Sequence, residues 1–442
     1  MTIQLAATIT LLCAWLALVW RTVRMTRKAR SMRAGAAAHK TDIAVIYASQ
    51  TGTAKDMAQR SADALGPGRA TLLAMDQISP GQLLDYKAAL FIVSTYGEGD
   101  PPDMAQAFLA RTSGSASAAA SLESLDVGLL ALGDSSYRHY CGFGRSLGLW
   151  LERQGANFLF DTVFVDRGES DALLAWQRNI DKHFQARVDT GEHYADWRLL
   201  RRRHMNPGSA GGACHELVLE PSGTGPANWS AGDIAEIQIP GDGRRREYSI
   251  ASTSGEGALR LLVRQHTDAD GRPGAGSRWL TQELQTGGIL RLHIRENALF
   301  HVPAHPCPAI FIGNGTGIAG LRSLLQTRVE QGHYENWLVF GERQQAHDFH
   351  YGDLLRDWHA RRKVQRLDLA FSRDQAQKRY VHHLLRDAAA DLRNWVARGA
   401  IIYVCGSKDT MALDVDHAVR DILGAADYAA LLERRGYRRD IY

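Results

Sequence analysis

Three loops of small and aromatic residues carry the first chemical signal. The stretch SQTGTA runs from Ser49 through Gln50, Thr51, Gly52 and Thr53 to Ala54. Its hydroxyls, its backbone N–H groups and the positive end of a following helix would form a nest for a terminal phosphate. It lacks the lysine of an ATP-binding loop, so a monophosphate fits better than a triphosphate. A second loop, STYGEGDPPD, sets Thr95 and Tyr96 beside Gly97 and Gly99; a third, GDSSYRHYCGFG, sets Tyr137 and Tyr140 among Gly133, Asp134 and Gly142. Tyr96 and Tyr137 would cover the two faces of a flat ring, with Gly97 letting backbone approach its edge. A phosphate nest with two aromatic walls points to FMN.

Further along, Arg246, Tyr248 and Ser249 stand in one short stretch, REYS. The arginine can pair with a pyrophosphate, the tyrosine can stack, and the serine hydroxyl can reach a reactive ring nitrogen. Gly274, Gly276 and Ser277 precede WLTQEL and read as a helix start for the other side of that pyrophosphate. Together these residues indicate FAD. The loop GNGTG, with Gly313, Gly315, Thr316 and Gly317, follows AIFI directly and suits a second dinucleotide, although GxGxG alone is a weak motif. Ser372, Arg373, Lys378 and Tyr380 in FSRDQAQKRY are more informative. A hydroxyl, two cations and a ring beyond one strand would hold an adenosine 2′-phosphate and so select NADPH over NADH.

Such loops need a scaffold that presents them together. IAVIYA (Ile43 to Ala48), LFIVST (Leu90 to Thr95), GLLAL (Gly128 to Leu132) and TVFV (Thr162 to Val165) read as buried parallel strands, each leading into a loop and a helix. A doubly wound α/β sheet follows, and the three FMN loops fall beyond its strands, where such sheets bind ligands. Between about Ala195 and Pro306 the pattern becomes strand after strand, CHELVLE, DIAEIQI, REYSIAS, ALRLLVRQ and ILRLHIR, which reads as a small antiparallel β barrel. After Pro308, AIFIG, WLVFG, RLDLAFS and IIYVCG restore the α/β alternation. The expected division is a flavin-binding α/β domain over 42–190, a β barrel over 191–306 and a second α/β domain over 307–442.

Charge and cysteine usage exclude several classes. The formal charge is +4, yet Arg21, Arg24, Arg27, Lys28, Arg30, Arg33 and Lys40 crowd the first forty residues, which hold no Asp or Glu; the rest of the chain is slightly acidic. No nucleic-acid footprint remains. Five scattered cysteines without a CxxC pair suit a reducing compartment and argue against a zinc site, an iron–sulfur cluster or a disulfide framework. Ile3 to Trp20 carry no charge, and eighteen helical residues span roughly 27 Å, enough for a bilayer core. The charges follow the apolar run, which favours an uncleaved anchor over a signal peptide or a buried helix. The expectation is a transmembrane anchor over 1–22, a basic linker over 23–41, and a single-pass membrane location with the catalytic body in the cytoplasm.

Taken together, SQTGTA, STYGEGDPPD, REYSIAS, GNGTGIAG, FSRDQAQKRYV, IYVCGS and the terminal RRDIY resemble the diflavin reductases, specifically the flavoprotein component of NADPH-dependent sulfite reductase and the microsomal cytochrome reductases. The resemblance covers Ile43 to Tyr442. It implies a flavodoxin-like FMN domain followed by a ferredoxin–NADP reductase-like FAD/NADPH module. It also implies that Tyr442 stacks on the FAD ring where nicotinamide enters, that Ser249, Cys405 and Asp440 form the hydride-transfer site, and that Arg343 adds a phosphate contact. Three departures stand out. The helical connecting domain inserted in the family's barrel is missing, since GDIAEIQIPGD runs almost directly into RRREYSIAS; Ser407 replaces the family's Asp after Cys-Gly; and Gly320 replaces its proline, which reads as a change in helix-start stiffness.

The chain is thus expected to move electrons from NADPH to FAD to FMN and on to a separate protein: a haem protein or iron reductase, membrane-bound in view of the N-terminal helix, or the haemoprotein of an assimilatory sulfite reductase. A flavin sensor or scaffold without turnover is the contrasting possibility.

Overall fold

The computed structural model describes residues 41–442 apart from 97–98, 113–120, 136, 168–169, 190–193, 224–227, 242–244 and 268–270. The expected anchor and basic linker, Gly97, and the boundary placed between 190 and 191 lie outside the described residues. Among those described, no helix is long and apolar enough to cross a membrane. That finding corrects the membrane location expected from the sequence. An eighteen-residue uncharged stretch satisfies a length criterion, but length alone does not show that it spans a bilayer.

The first sheet holds parallel strands β1 (Ile43–Ala48), β2 (Ala70–Ala74), β3 (Ala88–Ser94), β4 (Asp126–Gly133), β5 (Asn157–Phe158) and β6 (Val163–Asp166), in the order β2-β1-β3-β4-β5 with β6 also on β4. Its central strands are apolar on both sides because helices cover both faces, giving one core around Val45, Leu90, Leu130 and Trp176 and another around Ile46, Phe91, Leu129 and Phe143. The order in which strands are added reverses between β1 and β3, which run parallel. The loops after both strands therefore open side by side at the carboxyl edge, the switch-point crevice of doubly wound sheets. Helices α1 (Thr53–Leu65) and α2 (Gly142–Arg153) begin in two of the distinctive loops.

The second sheet is antiparallel: β7 (Ala195–His204), β8 (Cys214–Pro221), β9 (Ile234–Gln238), β10 (Arg245–Ser249), β11 (Leu259–Arg264) and β12 (Ile289–Arg295), in the order β10-β9-β12-β7-β8-β11. A bridge from Ile250 to Leu261 joins the outer strands and closes the barrel around Trp197, Leu217, Ile237 and Leu261. Strands β9 and β10 pair from Gln238 with Arg245 to Ile234 with Ser249, so they form a hairpin where the family carries its inserted domain.

The third sheet is parallel, β15-β14-β13-β16-β17, built from β13 (Ala309–Asn314), β14 (Asn336–Glu342), β15 (Arg366–Phe371), β16 (Ile401–Gly406) and β17 (Tyr437–Ile441). Its switch point lies between β13 and β16. One core unites it with the barrel: Cys214, Ala251, Leu262 and Phe300 pack with Phe311, Leu321, Leu338 and Tyr403. Barrel and third sheet thus share buried apolar surface and form a single packed unit.

Candidate functional site

Strand ends bring together three side chains that lie 35 to 191 residues apart in the sequence. Ser249 ends β10 of the barrel, Cys405 ends β16, and Asp440 lies next to it on β17, in register with Cys405. The Ser249 hydroxyl donates to Asp440 Oδ2 at 2.6 Å; Cys405 Sγ lies 3.8 Å from Ser249 Oγ and 3.7 Å from the same carboxylate oxygen. All three are buried. Burial pushes the Cys405 thiol well up, with the Asp440 charge adding to it, so the thiol stays protonated. Burial also raises the Asp440 carboxyl, against the lowering effect of the Ser249 hydroxyl. A hydroxyl, a thiol and a carboxyl of adjustable protonation face one point.

Glycines let the backbone crowd this point. Gly313 is in register with Cys405, and a Cβ on Gly317 would lie 2.1 Å from the Cys405 carbonyl oxygen, so only glycine permits the approach. A Cβ on Gly320 would stand 3.2 Å from both Cys405 Sγ and Ser249 Cβ. Residue 320 therefore bears on the reactive pair itself and not only on helix-start stiffness. Ser407 caps the neighbouring turn, its N–H donating to Asn314 Oδ1 at 3.0 Å.

Beside the triad lies a crevice of about 300 Å³, lined by Arg246, Tyr248 and Ser249 from β10, Gly274, Gly276 and Ser277 from the next helix start, Thr316 from the glycine loop, and Tyr442. Tyr442 is half exposed, and its hydroxyl pairs with Thr316 Oγ1 at 3.1 Å. Gly276 makes room for Arg246, whose Cγ would lie 2.8 Å from an added Cβ. Every residue expected at the FAD is therefore in one place. Arg264, His266 and Leu262 also line the crevice and were not singled out in the sequence, because an arginine and a histidine at a strand end look like surface residues.

At the far edge of the third sheet, Ser372 and Arg373 follow β15, and their N–H groups donate to the carbonyls of Glu342 and Arg343 at 2.9 and 2.8 Å. This knits the ends of β14 and β15. Ser372 is buried while Arg373, Lys378 and Tyr380 are exposed on the loop beyond it, as a site for a charged phosphate requires. Arg343 is placed otherwise: its guanidinium fills the space a Cβ on Gly211 would need, so in this structure it folds toward the barrel loop.

In the first sheet, Gly52 takes a left-handed conformation (φ 95) and its N–H donates to Ser49 Oγ at 2.9 Å, shaping the SQTGTA turn ahead of Thr53, Ala54 and α1. The Gln50 side chain exchanges two hydrogen bonds with Asp103, tying the first loop to the second. The Tyr96 and Asp100 backbones close a tight turn, and a Cβ on Gly142 would lie 2.9 Å from Gly99, so the second and third loops touch backbone to backbone. Among the described residues, Thr95 Oγ1 and Tyr96 Oη are buried without a partner, which a polar ring at this edge would satisfy. Tyr137 is exposed while Tyr140 packs near Phe164. Gly133 carries no side chain because one would strike Cys141 Sγ at 2.7 Å, and Asp134 lies close to Arg167.

The two halves meet through residues that sequence reasoning missed. Arg439, adjacent to Asp440, forms a two-pronged ion pair with Asp103 and lies 5.1 Å over the Tyr96 ring. Arg295 Nε donates to the Thr51 carbonyl at 2.9 Å, and Lys55 pairs with Glu296 at 2.8 Å. A cation before the terminal Asp440 was the only signal in the sequence.

Comparison with known proteins agrees with this geometry. The Flavodoxin family model matches residues 45–176, and the Oxidoreductase NAD-binding domain model matches residues 311–417. The sulfite reductase NADPH flavoprotein alpha-component of Thiocapsa roseopersicina is 32% identical, covering 86% of this chain and 83% of its own. The protein of the same name from Bacillus subtilis (strain 168) is 26% identical over 93% of this chain and 91% of its own. That alignment runs over 552 positions against a chain of 442 residues, so part of the relative has no counterpart here. The Yersinia pestis protein of that name is 39% identical over 45% of this chain and 35% of its own.

Proposed function

This chain belongs to the diflavin reductase family, and on that premise we propose that it carries electrons from NADPH through FAD to FMN and delivers them singly to a separate haemoprotein. It is an NADPH-dependent flavoprotein oxidoreductase with FMN, FAD and NADPH as its cofactors. The first sheet with its flanking segments (42–190) is assigned to FMN, the barrel (191–306) to FAD, and the third sheet (307–442) to NADPH. The names of its relatives, each the flavoprotein component of a sulfite reductase, favour a haemoprotein partner that reduces sulfite.

The observation that carries the reading is the buried Ser249–Cys405–Asp440 group, which stands where the barrel crevice meets the glycine loop and lies one residue from Arg439 against the FMN loops. The crevice residues would hold FAD, which would supply two-electron hydride acceptance from NADPH and one-electron release. The chain's own residues prepare that exchange. Arg246 and the helix start at Gly274, Gly276 and Ser277 hold pyrophosphate, and Tyr248 supplies a stacking face. Tyr442 covers the crevice until nicotinamide displaces it. Ser249, Cys405 and Asp440 orient the nicotinamide and fix the protonation around it, with Thr316 and the Gly313, Gly315 and Gly317 backbone beneath the phosphates. Ser372, Arg373, Lys378 and Tyr380 read the 2′-phosphate, with Arg343 swinging from Gly211 to join them. Around FMN, Ser49 to Ala54 cradle the phosphate, and Thr95, Tyr96, Gly99, Gly133, Asp134, Tyr137, Tyr140 and Gly142 border the ring.

Anaerobic stopped-flow mixing with NADPH tests the path. Rapid bleaching of two flavins per chain is expected, with a much slower response to NADH. Bleaching of a single flavin would overturn the relay, and equal rates with both nucleotides would overturn the assignment of the 2′-phosphate site.

A further inference from the structure

Behind the flavin crevice, the end of β14 and the turn after it bring Glu342, Asp348 and His350 together in the seam between the third sheet and the barrel. One ligand atom from each lies within 4.8 Å of the others. All three are buried: Glu342 is 9% exposed, His350 2% and Asp348 fully covered. The carboxylates are held in place. Glu342 Oε1 accepts from Arg264 and Oε2 from the Arg343 N–H at 2.6 Å; Asp348 Oδ1 accepts from Asn206 at 3.1 Å, and Oδ2 from Ser209 at 3.0 Å and the Gln344 N–H at 3.1 Å. The imidazole is not: among the described residues neither Nδ1 nor Nε2 of His350 has a hydrogen-bond partner.

Two quantities are left unbalanced. Two carboxylates face one guanidinium, that of Arg264, where burial keeps water away and an unbalanced charge is costly. The imidazole keeps an unused N–H and an unused lone pair, and such orphan groups in a folded protein signal an ion or a water. A divalent cation removes both deficits at once.

We propose that Glu342, Asp348 and His350 form a structural zinc site that fastens the end of β14 to the barrel loop at Asn206 and Ser209. Two carboxylate oxygens and one imidazole nitrogen are a zinc donor set, with water in the fourth position. The scatter of cysteines has no bearing on such a site, because none of its donors is sulfur. The second carboxylate charge, left over after Arg264 neutralises the first, is what the ion takes up. The site adjoins the flavin crevice through Arg264, which lines that crevice and pairs with Glu342, so its loading is read from metal content and not from turnover.

Full-length protein carrying both flavins, dialysed against zinc and then passed through a desalting column, is expected to retain about one zinc per chain by mass spectrometry. His350→Leu fills the same space without a ligand and is expected to lose that zinc at least tenfold while keeping the flavin absorption spectrum. If His350→Leu does not fold, cobalt decides with the unaltered protein alone: a visible d–d band at wavelengths beyond the flavin absorption, abolished by added zinc, supports the site. Unaltered protein without retained zinc and without that cobalt band would overturn the proposal, as would zinc equal in both proteins, which marks an adventitious ion only.

Discussion

At the scale of single residues, the decisive fact is that a carboxyl, a thiol and a hydroxyl share one dry point. Asp440 is buried, and its pKa lies above the ordinary carboxylate value chiefly because burial penalises the charge. A raised folded pKa means that Asp440 contributes stability below its unfolded pKa and that this contribution is lost as pH rises through the folded value. Asp440→Asn keeps the shape and removes that ionisation. The variant is therefore expected to be at least as stable as the unaltered protein in thermal melts at neutral pH. Its reduction by NADPH is expected to slow by about a hundredfold, because the group that orders Ser249 and Cys405 no longer carries an adjustable charge. Unchanged flavin bleaching by stopped flow would remove Asp440 from the hydride step. A drop in melting temperature would contradict the sign of its pKa.

At the scale of elements, what could be read from the sequence depended on burial. IAVIYA appears as β1 with the bounds expected, because a strand covered on both faces must be apolar throughout. ATLLA, which forms β2 at the sheet edge, was not read as a strand: only Ala74 of it is buried, so its pattern is that of a surface turn. Five of the six barrel strands were legible; β7 was not among the segments read, and its pairing with β8 is irregular between Leu199 and Arg201, a shift that no alternation of residue types announces. The site divides in the same way. Its glycine-rich loops carry local signatures, whereas Arg439 gains its meaning only from Asp103, 336 residues away. On the β7–β8 pair, His215 stacks on His204 with ring centroids 4.9 Å apart, and burial lowers its pKa from 6.5 to about 4. A folded pKa below the unfolded one gives stability that is present above about 6.5 and is lost as pH falls toward 4, because the unfolded chain takes up a proton that the barrel refuses. His215→Phe keeps the stacked ring, and urea titrations of it are expected to lose one proton's worth of pH dependence across that window. Parallel pH profiles for the two proteins would show that His215 does not titrate on unfolding.

At the scale of the whole molecule, the two seams differ in kind. The barrel and third sheet share an apolar core and so behave as one body. The first sheet meets that body through charged and polar contacts: Arg439 with Asp103, Gln50 with the Arg439 carbonyl, Arg295 with the Thr51 carbonyl, Lys55 with Glu296, and Arg435 with Asp76. The connecting domain that the family inserts in its barrel is replaced by the β9–β10 hairpin, so these contacts are what the structure offers for aligning the two flavins. Interfaces of this kind come apart more readily than apolar ones, and screening weakens them as the Debye length falls from about 10 Å at 0.1 M salt to about 3 Å at 1 M. Asp103→Asn removes the partner of a half-buried guanidinium that also braces the Tyr96 ring. Losing about 1.4 kcal/mol of docking lowers the docked fraction about tenfold once docking is no longer saturated. Passage of electrons to FMN is therefore expected to slow by about an order of magnitude in Asp103→Asn, and by a similar factor in the unaltered protein at high salt, while the NADPH-to-FAD step changes less than about twofold. The two steps separate in one stopped-flow trace as a fast and a slow phase. If both phases slow together the substitution has damaged the module that binds NADPH, and if neither moves, docking through Arg439 does not limit the transfer.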